Sequence, residues 1–180
     1  MLFINIKKLE KYLIDKNVDI SSWGKGNAKT LNHLYNEIIK RECELIEDNG
    51  SLYRKLSSLS IRVYYNNLKL IEDRQEFKDG RTRRRKMEAS VAEKISINDK
   101  NLIESVKRAL KEELNIDVFD SQIIPNGEKS DFRESMSYPT LNMDIHLYKF
   151  TIKLDINQYN SEGYVEDQED KKTYFVWKHR

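Results

Sequence analysis

Arg108, Glu112 and Glu113 lie close together in the segment Leu102–Ile116 (LIESVKRALKEELNI) and are the residues best placed to do chemistry. At about 100° per residue, Leu102, Ile103, Val106, Leu110 and Leu114 fall on one apolar sector of a helix. Glu113 projects into that sector beside Leu102 and Val106, with Ala109 on its flank. A carboxylate aimed at a core is costly unless a cation or several donors meet it. Glu113 therefore either pairs with a buried Lys or Arg or holds a metal. Positions 109, 112 and 113 are three and four residues apart, so their side chains meet on the helix surface. Carboxylates at such positions are hard oxygen donors of the kind that suit magnesium.

A second group is basic. Arg81, Arg83, Arg84, Arg85 and Lys86 (in RTRRRK) form the densest positive run. If the tract is extended, Arg81, Arg83 and Arg85 share one face, with Arg84 and Lys86 opposite. Guanidinium forks match phosphate oxygens two bonds at a time, so the tract could dock a polyphosphate or nucleotide. The bland alternative is a solvated loop neutralised by nearby acids. Tyr64, Tyr65 and Phe77 could stack on RNA bases, although aromatic residues in strands are far more often core.

Other chemistry finds little support. His33, His146 and His179 show no metal-ligand spacing, and Ser135 and Ser137 lack a glycine-flanked elbow. Neither GxGxxG nor a phosphate-cradling P-loop occurs. The single cysteine, Cys43, excludes an intrachain disulfide and a thiolate zinc site, and reads as a small apolar residue.

The elements that must position these groups can be read from period and turn chemistry. Asn5–Lys16 predicts a helix, and a second begins near Leu31 with Asn27 or Thr30 as its cap and ends near Cys43. Leu45–Glu47 leads into a tight Asn49-Gly50 turn and the run Leu52–Tyr65, in which Leu59, Ile61, Val63 and Tyr65 alternate. Asn66-Asn67 is a second turn and Leu68–Phe77 a returning strand, followed by a turn at Asp79-Gly80. Asn98 or Asp99 is available to cap the helix Leu102–Leu114, and Asn115 to end it in the left-handed region. Ile116–Ile124 predicts a short strand, Pro125-Asn126-Gly127 a turn, Leu141–Leu154 a long strand, Asn157–Lys172 a loop and Thr173–Trp177 a final strand. This order argues an α+β fold, a mixed sheet packed against helices, rather than a doubly wound one.

Arg108–Ile116 (RALKEELNI) resembles the end of the Nudix box, which reads Arg-Glu-aliphatic-x-Glu-Glu-x-Gly-aliphatic. Arg108, Leu110, Glu112, Glu113 and Ile116 match it. The segments Glu72–Lys94 and Glu162–Trp177 also look like those of a little-described Nudix-like subgroup. The resemblance covers about residues 45–177 and implies a Nudix-like domain over 45–180, preceded by a short helical extension over 1–44. It implies that Glu112 and Glu113 bind magnesium, with Asp99 as a further carboxylate, while Arg108 orients them and Arg81, Arg83, Arg84 or Arg85 holds phosphate. Glu93, Glu134, Glu166 and Glu169 could reach the site from loops. The chain departs from the pattern at Ala109, where the box has a glutamate, at Lys100 and Lys94 for its earlier glutamate and glycine, and at Asn115 for its later glycine. The loss at Ala109 implies reduced or lost hydrolysis.

Composition sets the outer bounds. A length of 180 residues suits one domain, with or without a small extension, and 38% hydrophobic against 34% charged residues suits a modest core under a solvated surface. A formal charge of +2 is too small to call a nucleic-acid partner from bulk electrostatics. The apolar runs are too short to span a membrane, and the start MLFINIKKLEKYL lacks a signal-peptide pattern. The expected protein is cytoplasmic and binds a nucleotide or another diphosphate-containing small molecule, with magnesium if catalytic. A homo-oligomer stays open. A protein-interaction or sensor module is the alternative, and RNA binding through the basic tract a weaker one.

Overall fold

The computed structural model describes residues 3–85, 87–95 and 99–180. Two candidates named above, Asn98 as a helix cap and Lys86 in the basic tract, lie outside them. The chain forms two compact units that interleave in sequence. The first comprises Met1–Ser58, Lys94–Asn98 and Lys129–Leu147, and the second Leu59–Glu93, Asp99–Glu128 and Tyr148–Arg180.

The first unit holds helices α1 (Ile6–Asp15) and α2 (Leu31–Ile39) and strand β1 (Glu44–Asp48). Asn5 caps α1 by accepting the Lys8 N–H, and Thr30 caps α2 by accepting that of His33. Asn49 and Gly50 both take positive φ, 48° and 78°, as a two-residue hairpin requires, and pair β1 with the start of β2 (Ser51–Tyr65). Leu9, Leu13, Leu34, Ile38, Leu52, Leu56 and Tyr138 belong to its core cluster, and the Trp23 N–H donates to the Pro139 carbonyl at 3.0 Å. Inside this unit lies a buried carboxylate, Glu37. It receives Lys29 and Lys94 on Oε1 at 2.8 and 2.7 Å, with Arg54 at 3.6 Å from Oε2. Cys43 is buried beside it, and burial pushes its thiol up to about 11, which leaves it an unreactive apolar neighbour.

The second unit contains β3 (Leu68–Phe77), β4 (Thr82–Arg83), helix α3 (Leu102–Leu114), β8 (Tyr164–Asp167) and β9 (Lys171–His179). It also takes residues of β2, β5 (Val91–Lys94), β6 (Ile123–Glu134) and β7 (Asn142–Lys153), each of which contributes to both units. The hydrogen-bonded strand order is β6-β7-β2-β3-β9-β8, with β1 and β5 paired to β2 and β4 to β3. Its buried side chains include Leu59, Ile61, Val63, Leu70, Val91, Phe150, Ile152 and Phe175, with Val106, Ala109, Leu110 and Leu114 of α3. The architecture is α+β, as the element order predicts.

Three expectations need correction. Ile116 and Val118 are buried, but residues 116–119 join no strand, and a 3-10 turn at Asp120–Gln122 precedes β6. Pro125-Asn126-Gly127 runs inside β6, which stands at the edge of the strand order, the position where sheets accept proline. The segment 157–172 is not all loop, because β8 pairs along β9 through main-chain bonds that side-chain polarity does not reveal.

Candidate functional site

Helix α3 is capped by Asn101, whose side chain accepts the Glu104 N–H at 3.0 Å, and is closed by Asn115 at φ 55°. The cap is thus neither residue expected: Asn98 lies outside the described residues, and Asp99 is used differently. Arg108 donates Nε and Nη2 to its two carboxylate oxygens at 2.9 and 3.0 Å, and Nη1 to Glu112 at 2.9 Å. Ser105 Oγ adds a bond to Asp99 at 2.8 Å. Arg108 thus holds Asp99 and Glu112 together, and their hydrogen bonds and charges keep its guanidinium firmly charged.

Glu113 stands elsewhere on the helix. It is half-buried, and α3 packs against β8, which carries Glu166. Burial, then the charges of Glu166 and Glu93, push the Glu113 carboxyl up to about 9; Arg85 pulls it down and buried Glu72 pushes it up further. Arg85 donates Nε to Glu72 at 2.8 Å and forms an ion pair with it. An arginine and three further carboxylates thus act electrostatically on Glu113, and the arginine itself is paired with Glu72. Among the described residues no three His, Cys, Asp or Glu side chains form a ready-made metal cage. Glu112 and Asp99 are gathered by Arg108, whereas Glu113 is grouped electrostatically with Glu166, Glu93 and Glu72.

The basic tract is largely met by acceptors. Arg81 pairs with Asp79 at 2.7 Å, Arg84 with Asp73, and Arg85 with Glu72. Arg83 differs, because its Nε and Nη2 donate to the neutral Gln75 Oε1 at 3.1 and 2.6 Å. Two buried acceptors on β3, Glu72 and Gln75, therefore receive Arg85 and Arg83. Residues three apart on a regular strand face opposite ways. Here the pairing with β9 shifts between Glu72 and Arg74, so Asp73 is an extra residue and Gln75 returns to the face of Glu72. Gln75 lies opposite Arg83 on β4 and Thr173 on β9, and Thr173 lies opposite Glu166 on β8. Direct cross-strand partners share a face. Arg83, Gln75, Thr173 and Glu166 thus form one polar row across four strands.

Sequence reasoning missed Glu72, Gln75 and Thr173. Two polar residues in the predicted strand EDRQEF were a signal, but their common face depends on the irregularity at Asp73. Glu166 and Glu93 were anticipated as acids that could reach the site; Glu134, in the first unit, accepts the Thr140 N–H at 2.7 Å.

A cavity of about 730 Å³ lies at the start of α3, lined by Leu102, Ile103, Glu104, Tyr148, Lys149 and Phe150 among others. Glu113 is nine residues beyond Glu104, about 14 Å along the helix at 1.5 Å per residue, so this cavity and the acid cluster are separate features.

No protein-family model matches the chain, and no curated protein does. Among solved structures it is similar to a MutT protein from Bacillus halodurans, at 15% identity over 69% of this chain and 68% of that one, with a TM-score of 0.44. It is also similar to a C. elegans Ap4A hydrolase, at 10% identity over 69% and 80% of the two chains and a TM-score of 0.39. The E. coli ORF135 protein gives 16% identity over 68% and 72%, with a TM-score of 0.37. The reading of the site below rests on its own residues.

Proposed function

We propose that the chain is a Nudix-like module that binds a nucleotide or another diphosphate-containing ligand beside α3, with metal-dependent hydrolysis reduced or lost. The observation that carries this reading is the setting of Glu113, a half-buried carboxyl repelled by Glu166, Glu93 and Glu72. Such a surplus of hard oxygen donors fits a divalent cation. Magnesium is commonly held by one or two carboxylates, with water and substrate phosphate completing its shell. Glu113 would be the principal ligand, with Glu112 and Asp99 as the further candidates that the sequence offers and Glu166 and Glu93 as those its electrostatic surroundings add.

When bound, magnesium would neutralise the diphosphate and acidify a water for attack at phosphorus. The chain's own groups do the rest. Arg108 fixes Asp99 and Glu112, and of Arg81, Arg83, Arg84 and Arg85, the four that the box resemblance offers to phosphate, Arg83 is the one whose fork meets no carboxylate. Glu113, held protonated at neutral pH by its surroundings, would release its proton as a cation arrives.

Reduced turnover is supported by Ala109. This residue replaces a box glutamate and is fully buried, so its position is part of the packed core. A carboxylate placed there would need its own partner.

The test is a panel of nucleoside diphosphate derivatives, with thermal shift and magnesium-dependent phosphate release measured side by side. The expected result is stabilisation by at least one member of the panel, with slow or absent release that Glu113→Gln abolishes. A panel that neither stabilises the protein nor is hydrolysed overturns the proposal. Stabilisation without any turnover leaves a sensor.

A further inference from the structure

We propose that Arg83, Gln75 and Thr173 form an anion subsite that takes phosphate oxygens, with Arg83 as its anchoring cation. This deepens the reading of the same site, since it assigns the phosphate end of the ligand to one of four arginines.

Three observations select this row. Arg83 is half-buried and makes its fork bond to a neutral amide, whereas Arg81, Arg84 and Arg85 are each paired with a carboxylate. The Gln75 side chain, 1% exposed, fixes Nε and Nη2 of that fork, so the guanidinium is held in place without losing its charge. Next in the row, Thr173 is 2% exposed, and its Oγ1 is buried without a hydrogen-bond partner. A buried hydroxyl left unpaired is unfavourable, and a phosphate oxygen would accept its proton.

Spacing keeps the two ends of the row apart. Neighbouring strands lie about 4.8 Å from one another, so the Arg83 and Glu166 backbones are separated by roughly 14 Å. Glu166 is therefore no cross-strand partner of Arg83, and the carboxylate that does act on the Arg83 charge is Glu72, itself paired with Arg85. The row is thus bipolar, with an anion-accepting end at Arg83 and an acidic end at Glu166, close to Glu113. A ligand carrying phosphate at one end and hydroxyl donors or a bound cation at the other fits this order.

The experiment uses the full chain and inorganic pyrophosphate as the probe, by titration calorimetry at low ionic strength in the presence of a metal chelator. Arg83→Gln is expected to weaken binding about tenfold or more, as for the loss of a charged hydrogen bond. Thr173→Val is expected to weaken it about threefold while keeping or raising the melting temperature, because it removes an unpaired buried hydroxyl. Arg133→Gln, a surface cation of the first unit, is expected to leave the affinity unchanged. If Arg83→Gln does not fold by circular dichroism, Arg83→Lys keeps the charge, loses the fork and is expected to weaken binding as well. Pyrophosphate affinity within twofold of wild type in the folded Arg83 variant overturns the subsite, as does no binding to the wild type. Pyrophosphate binding that depends on Arg83, with no nucleotide stabilising the protein, would retain the subsite and reject the nucleotide reading.

Discussion

Glu37 is a carboxylate buried inside the first unit among three cations. Burial alone would raise its pKa, but Arg54, Lys29 and Lys94 overcome that and hold it at about 2 against an ordinary 4.5. Its charged form is therefore favoured by folding. The contribution is full above pH 4.5 and is lost as pH falls from 4.5 towards 2, and a difference of that size corresponds to about 3 kcal/mol. Urea unfolding at pH 6, 4 and 3 should show wild type losing more stability over this range than Glu37→Gln. Equal losses in the two proteins would remove Glu37 as the cause. Glu113 is the opposite case, a carboxyl disfavoured in its charged form. Its inward aim was legible because a helix repeats with a fixed period. Its partners were not, because Glu72, Glu93 and Glu166 arrive from three different strands, and sequence spacing does not say which strands become neighbours.

Among the elements, those with strong apolar periods or strict turn residues were legible: both N-terminal helices, the Asn49-Gly50 hairpin, β3 and α3. The short polar strands were not. Strand β8 is positioned by Gly163, at φ 82°, where an added Cβ would stand 2.0 Å from the Phe175 carbonyl oxygen. That contact lets β8 lie along β9 and brings Glu166 opposite Thr173. Gly163→Ala is expected to lower the melting temperature by about 5 °C or more, since a few kcal/mol translate into several degrees for a chain of this size. Gly80→Ala supplies the comparison. Gly80 also has positive φ, 86°, but open space around it, so only the backbone cost of about 1 kcal/mol applies. Equal shifts for the two variants would show that the close approach to Phe175 does not hold β8.

For the whole molecule, the formal charge of +2 and the acceptors that meet the basic tract point the same way. Asp79 stands two residues from Arg81, but the acceptors of Arg83, Arg84 and Arg85 lie back on β3, where spacing along the tract does not show them. If Arg83 is the one described arginine of the tract available to a phosphate backbone and the tract is the RNA contact, the logarithm of RNA affinity should fall with the logarithm of salt concentration at a slope near −0.7. A filter-binding series across salt concentrations measures this. A slope of −3 or steeper would mean that the exposed pairs open to release their arginines, and would revive the RNA reading. No helix among the described residues is long and apolar enough to cross a membrane.

The extra residue in β3 has a consequence for how this chain could change length. Removing one residue from a strand normally turns every following side chain to the wrong face. Asp73 is the exception, because Glu72 already lies opposite Phe175, and Arg74 opposite Tyr174. Its deletion would bring the two pairings into an unbroken ladder, with Glu72 and Gln75 still on one face and only the Arg84 and Arg74 contacts to Asp73 lost. A chain lacking Asp73 should therefore fold and keep pyrophosphate binding, whereas a chain lacking Lys69 should not. In this strand the position of a gap, more than the identity of the residue lost, would decide whether a shortened relative keeps the site.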